Sequence, residues 1–119
     1  REYNALASVQ QEILDNMEEA VLIFDSAGRL HFYNQAYVRL WDADEVMLQK
    51  APSFVELLET QKKFFNRVSN WEELKKDIAS HVFSSTTEAF SLNRGDGVKI
   101  SCFSSLLSDE SIMVMMRQV

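Results

Sequence analysis

A chain of 119 residues, 46% of them hydrophobic, is the length of one domain with one core; folding at this size buries roughly two-thirds of the surface the unfolded chain exposes. A net charge of −6 opposes non-specific binding to nucleic acid and to anionic membrane surfaces. The longest apolar runs, residues 20–24 and 112–116, fall far short of the roughly 20 residues that span a bilayer, and the single cysteine, Cys102, has no internal disulfide partner, which fits a reducing, cytoplasmic setting.

Tyr3, Leu6, Val9, Ile13 and Met17 recur at spacings of three and four and predict an amphipathic helix over residues 3–17. We divide the chain there: residues 1–17 form a flanking, dimerising helix and residues 18–119 the core domain. Residues 21–24 (VLIF) are β-branched and aromatic and predict a strand. The turn chemistry of residues 25–28, ending in Gly28, joins it to a second strand over residues 30–34. Asn34 is placed to cap a helix over residues 35–41. A short acidic segment follows until Pro52 stops it, and Ser53 can cap a helix with Phe54, Leu57, Leu58, Phe64 and Phe65 on its apolar face.

The clearest helix starts after Asn70, which forms a capping-box-like pair with Glu73; Trp71, Leu74, Ile78 and Val82 make its stripe. The remainder predicts three strands. Residues 88–93 lead into a hairpin signal at Gly95-Asp96-Gly97, residues 99–107 are the partner strand, and after a turn at Asp109-Glu110 the last strand runs over residues 112–119. Two strands, a helical block and three strands predict an α+β fold: a five-stranded antiparallel sheet with helices on one face. No basic segment followed by an apolar stretch marks a signal peptide. With Arg1 at the start and an apolar run at the end, the chain reads as an excerpt of a longer protein.

The element order and several local matches resemble the PAS domain family. Residues 13–25 (ILDNMEEAVLIFD) are similar to the common PAS opening, in which a helix end with Asp15 and Met17 runs into an apolar strand closed by Asp25. Gly28, Leu30 and Asn34 match the next strand. Ala36, Tyr37, Leu40-Trp41, residues 71–74 (WEEL) and residues 94–97 (RGDG) are similar to PAS domains of sensor histidine kinases, alphaproteobacterial ones especially. The resemblance departs at the end, where Gln118 occupies the place of the aspartate that normally couples the sheet to a downstream helix. It implies a non-catalytic sensory or regulatory domain that dimerises and relays a signal to a downstream kinase or output domain. The parent protein can be membrane-anchored; the domain itself inserts in no membrane and binds no nucleic acid.

Each chemistry-bearing residue has a bland alternative. Light-sensing PAS relatives hold flavin beside a cysteine in an Asn-Cys-Arg-Phe helix; that run is missing, and Cys102 reads as a small core residue on a strand. In haem-binding relatives an axial histidine lies on the long helix before the third strand, where this chain has His81. His81 sits at the edge of the apolar stripe, so it is the one cofactor candidate, set against a boundary histidine bonded to backbone or water. His31, on the second strand and out of phase with Leu30 and Phe32, which would share a face, receives no role, and two histidines with one cysteine make no zinc spacing. Asp42, Asp44 and Glu45 lack the apolar surroundings that perturb a catalytic carboxylate. Three glycines, all in turns, build no phosphate loop. An enzyme on a similar α+β scaffold would need a polar, titrating cluster in its cavity, and none is evident.

The resemblance and the pleat together place Leu22, Phe24, Ile78, Val82, Phe90, Leu92, Ile100, Cys102, Val114 and Met116 around the PAS interior. With large apolar residues and no polar anchor, the expected interior is filled by its own side chains, with no cofactor; haem or a small apolar ligand is the alternative. Met113 and Met115 then project from the outer sheet face. The stripe of Tyr3, Leu6, Val9 and Ile13 is the expected cover, from the same chain or from the partner of a homodimer.

Overall fold

A computed structural model of the chain describes residues 18–82 and 89–119. The predicted helix over residues 3–17 lies outside the described residues. The order is β1 (Ala20–Phe24), β2 (Leu30–Tyr33), α1 (Gln35–Trp41), α2 (Glu45–Leu48), α3 (Phe54–Thr60), a 3₁₀ helix (Lys62–Phe65), α4 (Trp71–Val82), β3 (Phe90–Asn93), β4 (Lys99–Leu106) and β5 (Ile112–Gln118). The strands form one sheet in the order β2-β1-β5-β4-β3, every neighbouring pair antiparallel. Expectation and structure agree on an α+β architecture. The central strand is β5, the last in sequence, so the two N-terminal strands and the C-terminal hairpin share one sheet only once the chain end has paired with both.

Local chemistry sets most boundaries. Asn34 Oδ1 accepts the Tyr37 amide at 3.2 Å, Ser53 Oγ accepts that of Glu56 at 3.2 Å, and Asn70 Oδ1 accepts that of Glu73 at 3.1 Å; each takes an amide that the first turn of a helix leaves unpaired. Gly28 and Gly97 adopt φ of 81° and 91°, the left-handed region that glycine enters without a Cβ penalty.

Two expectations are corrected. The helix starting at Phe54 does not continue to Phe65. It ends at Thr60, and the chain tightens into a 3₁₀ turn at Lys62–Phe65 after Gln61 is drawn inward. Leu30 and Phe32 do not share a face. Leu30 pairs with Phe24 but Phe32 pairs with Ile23, so His31 is an extra residue in β2, a bulge that turns Phe32 to the outer face.

The core lies between the sheet and the helices. Ala20, Leu22 and Phe24 of β1 point into it with Ile100, Cys102, Val114 and Met116, and they meet Tyr37, Trp41, Leu57, Leu58, Ile78 and Val82 from the helical layer. The alternation along β5 is plain: Val114 and Met116 are buried, while Met113 and Met115 are half-buried on the other side.

Candidate functional site

The ten residues assigned to the interior are brought together, with one exception. Leu22, Phe24, Ile78, Val82, Leu92, Ile100, Cys102, Val114 and Met116 are all buried in one cluster, whereas Phe90 is half-buried at its edge. Phe90 opens β3 at the margin of the sheet and stacks on His81, ring centroids 4.9 Å apart and planes 20° from parallel. His81 itself is exposed. It occupies the last turn of α4 at the edge of the Ile78–Val82 stripe, and its ring lies against a sheet-edge aromatic and not in the core. The position at the edge of the stripe was legible in sequence, but which way the ring falls was set by its aromatic partner on β3, Phe90. Burial pushes the Cys102 thiol up to about 12, leaving it protonated and unreactive at neutral pH.

The polar part of the interior was not foreseen. Gln61 is 1% exposed and its Nε2 donates to the Tyr37 hydroxyl at 2.6 Å, while its carbonyl oxygen is buried without a hydrogen-bond partner among the described residues. Burial raises the Tyr37 phenol well above its usual range, against the opposing pull of the Gln61 bond. Tyr37 is also one wall of a recess of about 200 Å³ between α1, α2 and α3, shared with Trp41, Asp42, Asp44, Met47, Thr60 and Lys63. Gln61 does not itself line that recess; it is bonded to one lining residue, Tyr37, and adjacent in sequence to another, Thr60. Nothing in the pattern around a glutamine that follows Leu-Leu-Glu-Thr marks it as buried.

The outer sheet face has an apolar centre flanked by Ser101, Ser105 and Arg117. The register sets Met113 beside Ile23, which pairs with Phe32, and sets Met115 between Val21 and Phe103. Phe103 is 37% exposed, and a shallow hollow of about 260 Å³ opens there, bounded by Phe103, Met115, Ser101 and the ion pair of Glu19 with Arg117 at 4.0 Å. Met113 and Met115 stand where the alternation put them; Tyr3, Leu6, Val9 and Ile13 lie outside the described residues. Among the described residues no group of three or more histidine, cysteine or acidic side chains is arranged to hold a metal ion, and no helix is long and apolar enough to cross a membrane.

Comparison with known proteins joins this geometry to a family. A family profile described as "PAS fold" matches residues 14–119. The chain belongs to the PAS-fold family. Among curated proteins, the sensor protein DivL of Caulobacter vibrioides is 37% identical to this PAS domain over 78 residues, which make up 66% of this chain and 10% of that protein. The PAS domain thus corresponds to a small part of its relative. Solved PAS structures share the fold at low identity. The PAS domain of Bordetella pertussis BvgS aligns with a TM-score of 0.64 at 12% identity, covering 98% of this chain and 88% of that one. A domain of a sensory box sensor histidine kinase/response regulator from Geobacter sulfurreducens aligns at 0.55 with 15% identity, covering 97% and 96%. The resemblance read from residues 13–25 and the later matches is borne out, including its alphaproteobacterial slant.

Proposed function

We propose that this PAS domain is a non-catalytic regulatory module of a cytoplasmic two-component sensor kinase, which forms a homodimer through residues 1–17 and the outer sheet face and relays shifts in that packing to a downstream kinase domain. One observation carries the reading. The helix-covered face is occupied by the protein's own side chains, while the opposite face keeps Met113, Met115, Phe103 and Phe32 only partly covered. An apolar sheet face of this kind is a binding surface, and the stripe of Tyr3, Leu6, Val9 and Ile13 has the complementary character. The match to a sensor protein supports the kinase setting. The reading gives the domain no haem: His81 is exposed and stacked on Phe90, and the space an axial ligand would serve holds Ile78, Val82 and Ile100. The test is the mass in solution of the whole chain and of a chain lacking residues 1–14. The expected result is a dimer that becomes a monomer on truncation; a monomer in both cases overturns it.

A second reading, a sensor of a small ligand, is favoured by the Gln61 carbonyl, which is buried without a hydrogen-bond partner among the described residues while the same side chain bonds Tyr37 of the α1–α2–α3 recess, since a buried acceptor without a donor costs about 1–3 kcal/mol. Native mass spectrometry of protein purified from its own host distinguishes the two, by showing a bound molecule or only protein.

A further inference from the structure

The turn between β3 and β4 is fastened to the helical layer by one side chain. Arg94 stands just before Gly95-Asp96-Gly97, and its side chain is only 10% exposed. Nη1 donates to the Leu40 carbonyl at 2.6 Å, one of the acceptors that the last turn of α1 leaves unpaired, so the turn caps α1 from outside and brings positive charge to its C-terminus. Nε donates to the Asp96 carboxylate at 3.2 Å, and Nη2 completes a forked pair with the same group. The guanidinium lies 4.1 Å from the centre of the Phe64 ring and 5.5 Å from that of Trp41, a cation held against two aromatic rings. Beside it the Gly95 amide donates to the Phe64 carbonyl at 2.7 Å. A three-residue hairpin loop such as Gly95-Asp96-Gly97, closed by the Arg94 amide on the Val98 carbonyl at 2.9 Å, needs none of these contacts to reverse the chain.

Trp41 carries the fastening into the sheet. It is 2% exposed, touched by Arg94 from the turn and by Phe64 and Phe65 from the 3₁₀ helix, and its indole N–H donates to the Met116 thioether at 3.1 Å. Met116 belongs to the central strand and faces Ala20 of β1 and Cys102 of β4. The same indole therefore has the β3–β4 turn on one side and the end of β5 on the other.

We propose that the Arg94 turn is a latch that, when docked on α1 and Phe64, seats Trp41 against Met116 and so fixes the C-terminal end of β5, and that its release lets this end of the sheet change packing. The latch rests on the relay reading above and gives it an internal route: a disturbance of α1 or of the 3₁₀ helix reaches the last strand through one buried side chain. Spatial contact alone does not establish coupling; both ends must bias one equilibrium. The measurement is the methyl spectrum of methionine-labelled protein, with Met116 assigned by Met116→Leu. Trp41→Phe removes the indole donor and marks the unseated position of the Met116 signal. Arg94→Ala should move that signal at least halfway toward the Trp41→Phe position, leaving Met113 and Met115 in place. Asp96→Asn, which removes the charge of Arg94's partner and keeps an acceptor for the Val98 amide, should move it the same way by less, and serves if Arg94→Ala fails to fold. A Met116 signal unmoved in Asp96→Asn and in folded Arg94→Ala would reduce the turn to a local cap and overturn the latch. The dimer is read separately by mass, so either idea can fail without the other.

Discussion

The side-chain oxygen of Asn34 accepts the backbone N–H of Val21 at 2.9 Å, although the two residues are separated by thirteen positions and lie on neighbouring segments of the sheet. The same oxygen caps α1 through the Tyr37 amide, and Nδ2 donates to the Glu19 carbonyl at 2.8 Å. Asn34 is fully buried, so the Val21 amide and the Glu19 carbonyl lose this partner if the side chain goes, while the Tyr37 amide keeps only the Asn34 backbone carbonyl at 3.2 Å. Asn34→Ala should cost about 3 kcal/mol, combining a lost cap with buried backbone groups left unpaired. Urea unfolding checks this: the midpoint should fall with the slope unchanged. A loss below about 1 kcal/mol would show that water replaces the amide.

That residue also marks how far the sequence could be read. Asn34 was legible as a cap because capping is local, whereas its grip on Val21 depends on how β1 and β2 pair. The faces of β5 were legible because a pleat alternates without help from its neighbours, so Val114 and Met116 separate cleanly from Met113 and Met115. Phe32 was misplaced because a bulge at His31 shifts the count by one, and a bulge is a property of two strands. His81, Gln61 and Arg94 share this cause. The direction of each follows from a partner on another element: Phe90, Tyr37, and the Trp41–Phe64 pair. Periodicity finds apolar faces; it carries no information about which polar side chain a tertiary contact will bury.

Cys102 offers a direct test of the interior. It is fully buried between the sheet and the helices, and desolvation holds its thiol up to about 12. A thiol reagent acts on the thiolate, so the native protein at pH 8 should give almost no reaction and the urea-unfolded protein one thiol per chain. Under native conditions the slow rate should follow global unfolding, since no lesser opening exposes a residue at the centre of β4. Rapid native labelling would mean that the interior opens to solvent, which would favour the ligand-sensing reading over the filled one.

The last prediction concerns acid. Asp96 is held below the ordinary carboxylate range first by its hydrogen bond from Arg94, and Asp109 first by the bond from the Ser111 hydroxyl. Glu59 is lowered mainly by Lys75, with a further contribution from the Trp71 indole. A carboxylate lowered in the folded state binds its proton more weakly there than in the unfolded chain. Its stabilisation is complete above the unfolded value, near 4, and disappears as pH falls through the lower folded value. Stability should therefore be level from pH 7 to about 5 and decline below about 4, as measured by urea midpoints. All three groups are at the surface, so salt should flatten the decline by screening. Asp96→Asn should lower the midpoint at pH 7 and make it less sensitive to acid, because the proton that breaks the Arg94 pair no longer has a site. An acid profile identical to that of the unaltered chain would place the stabilisation elsewhere and leave Arg94 held by Leu40 and the two aromatic rings alone.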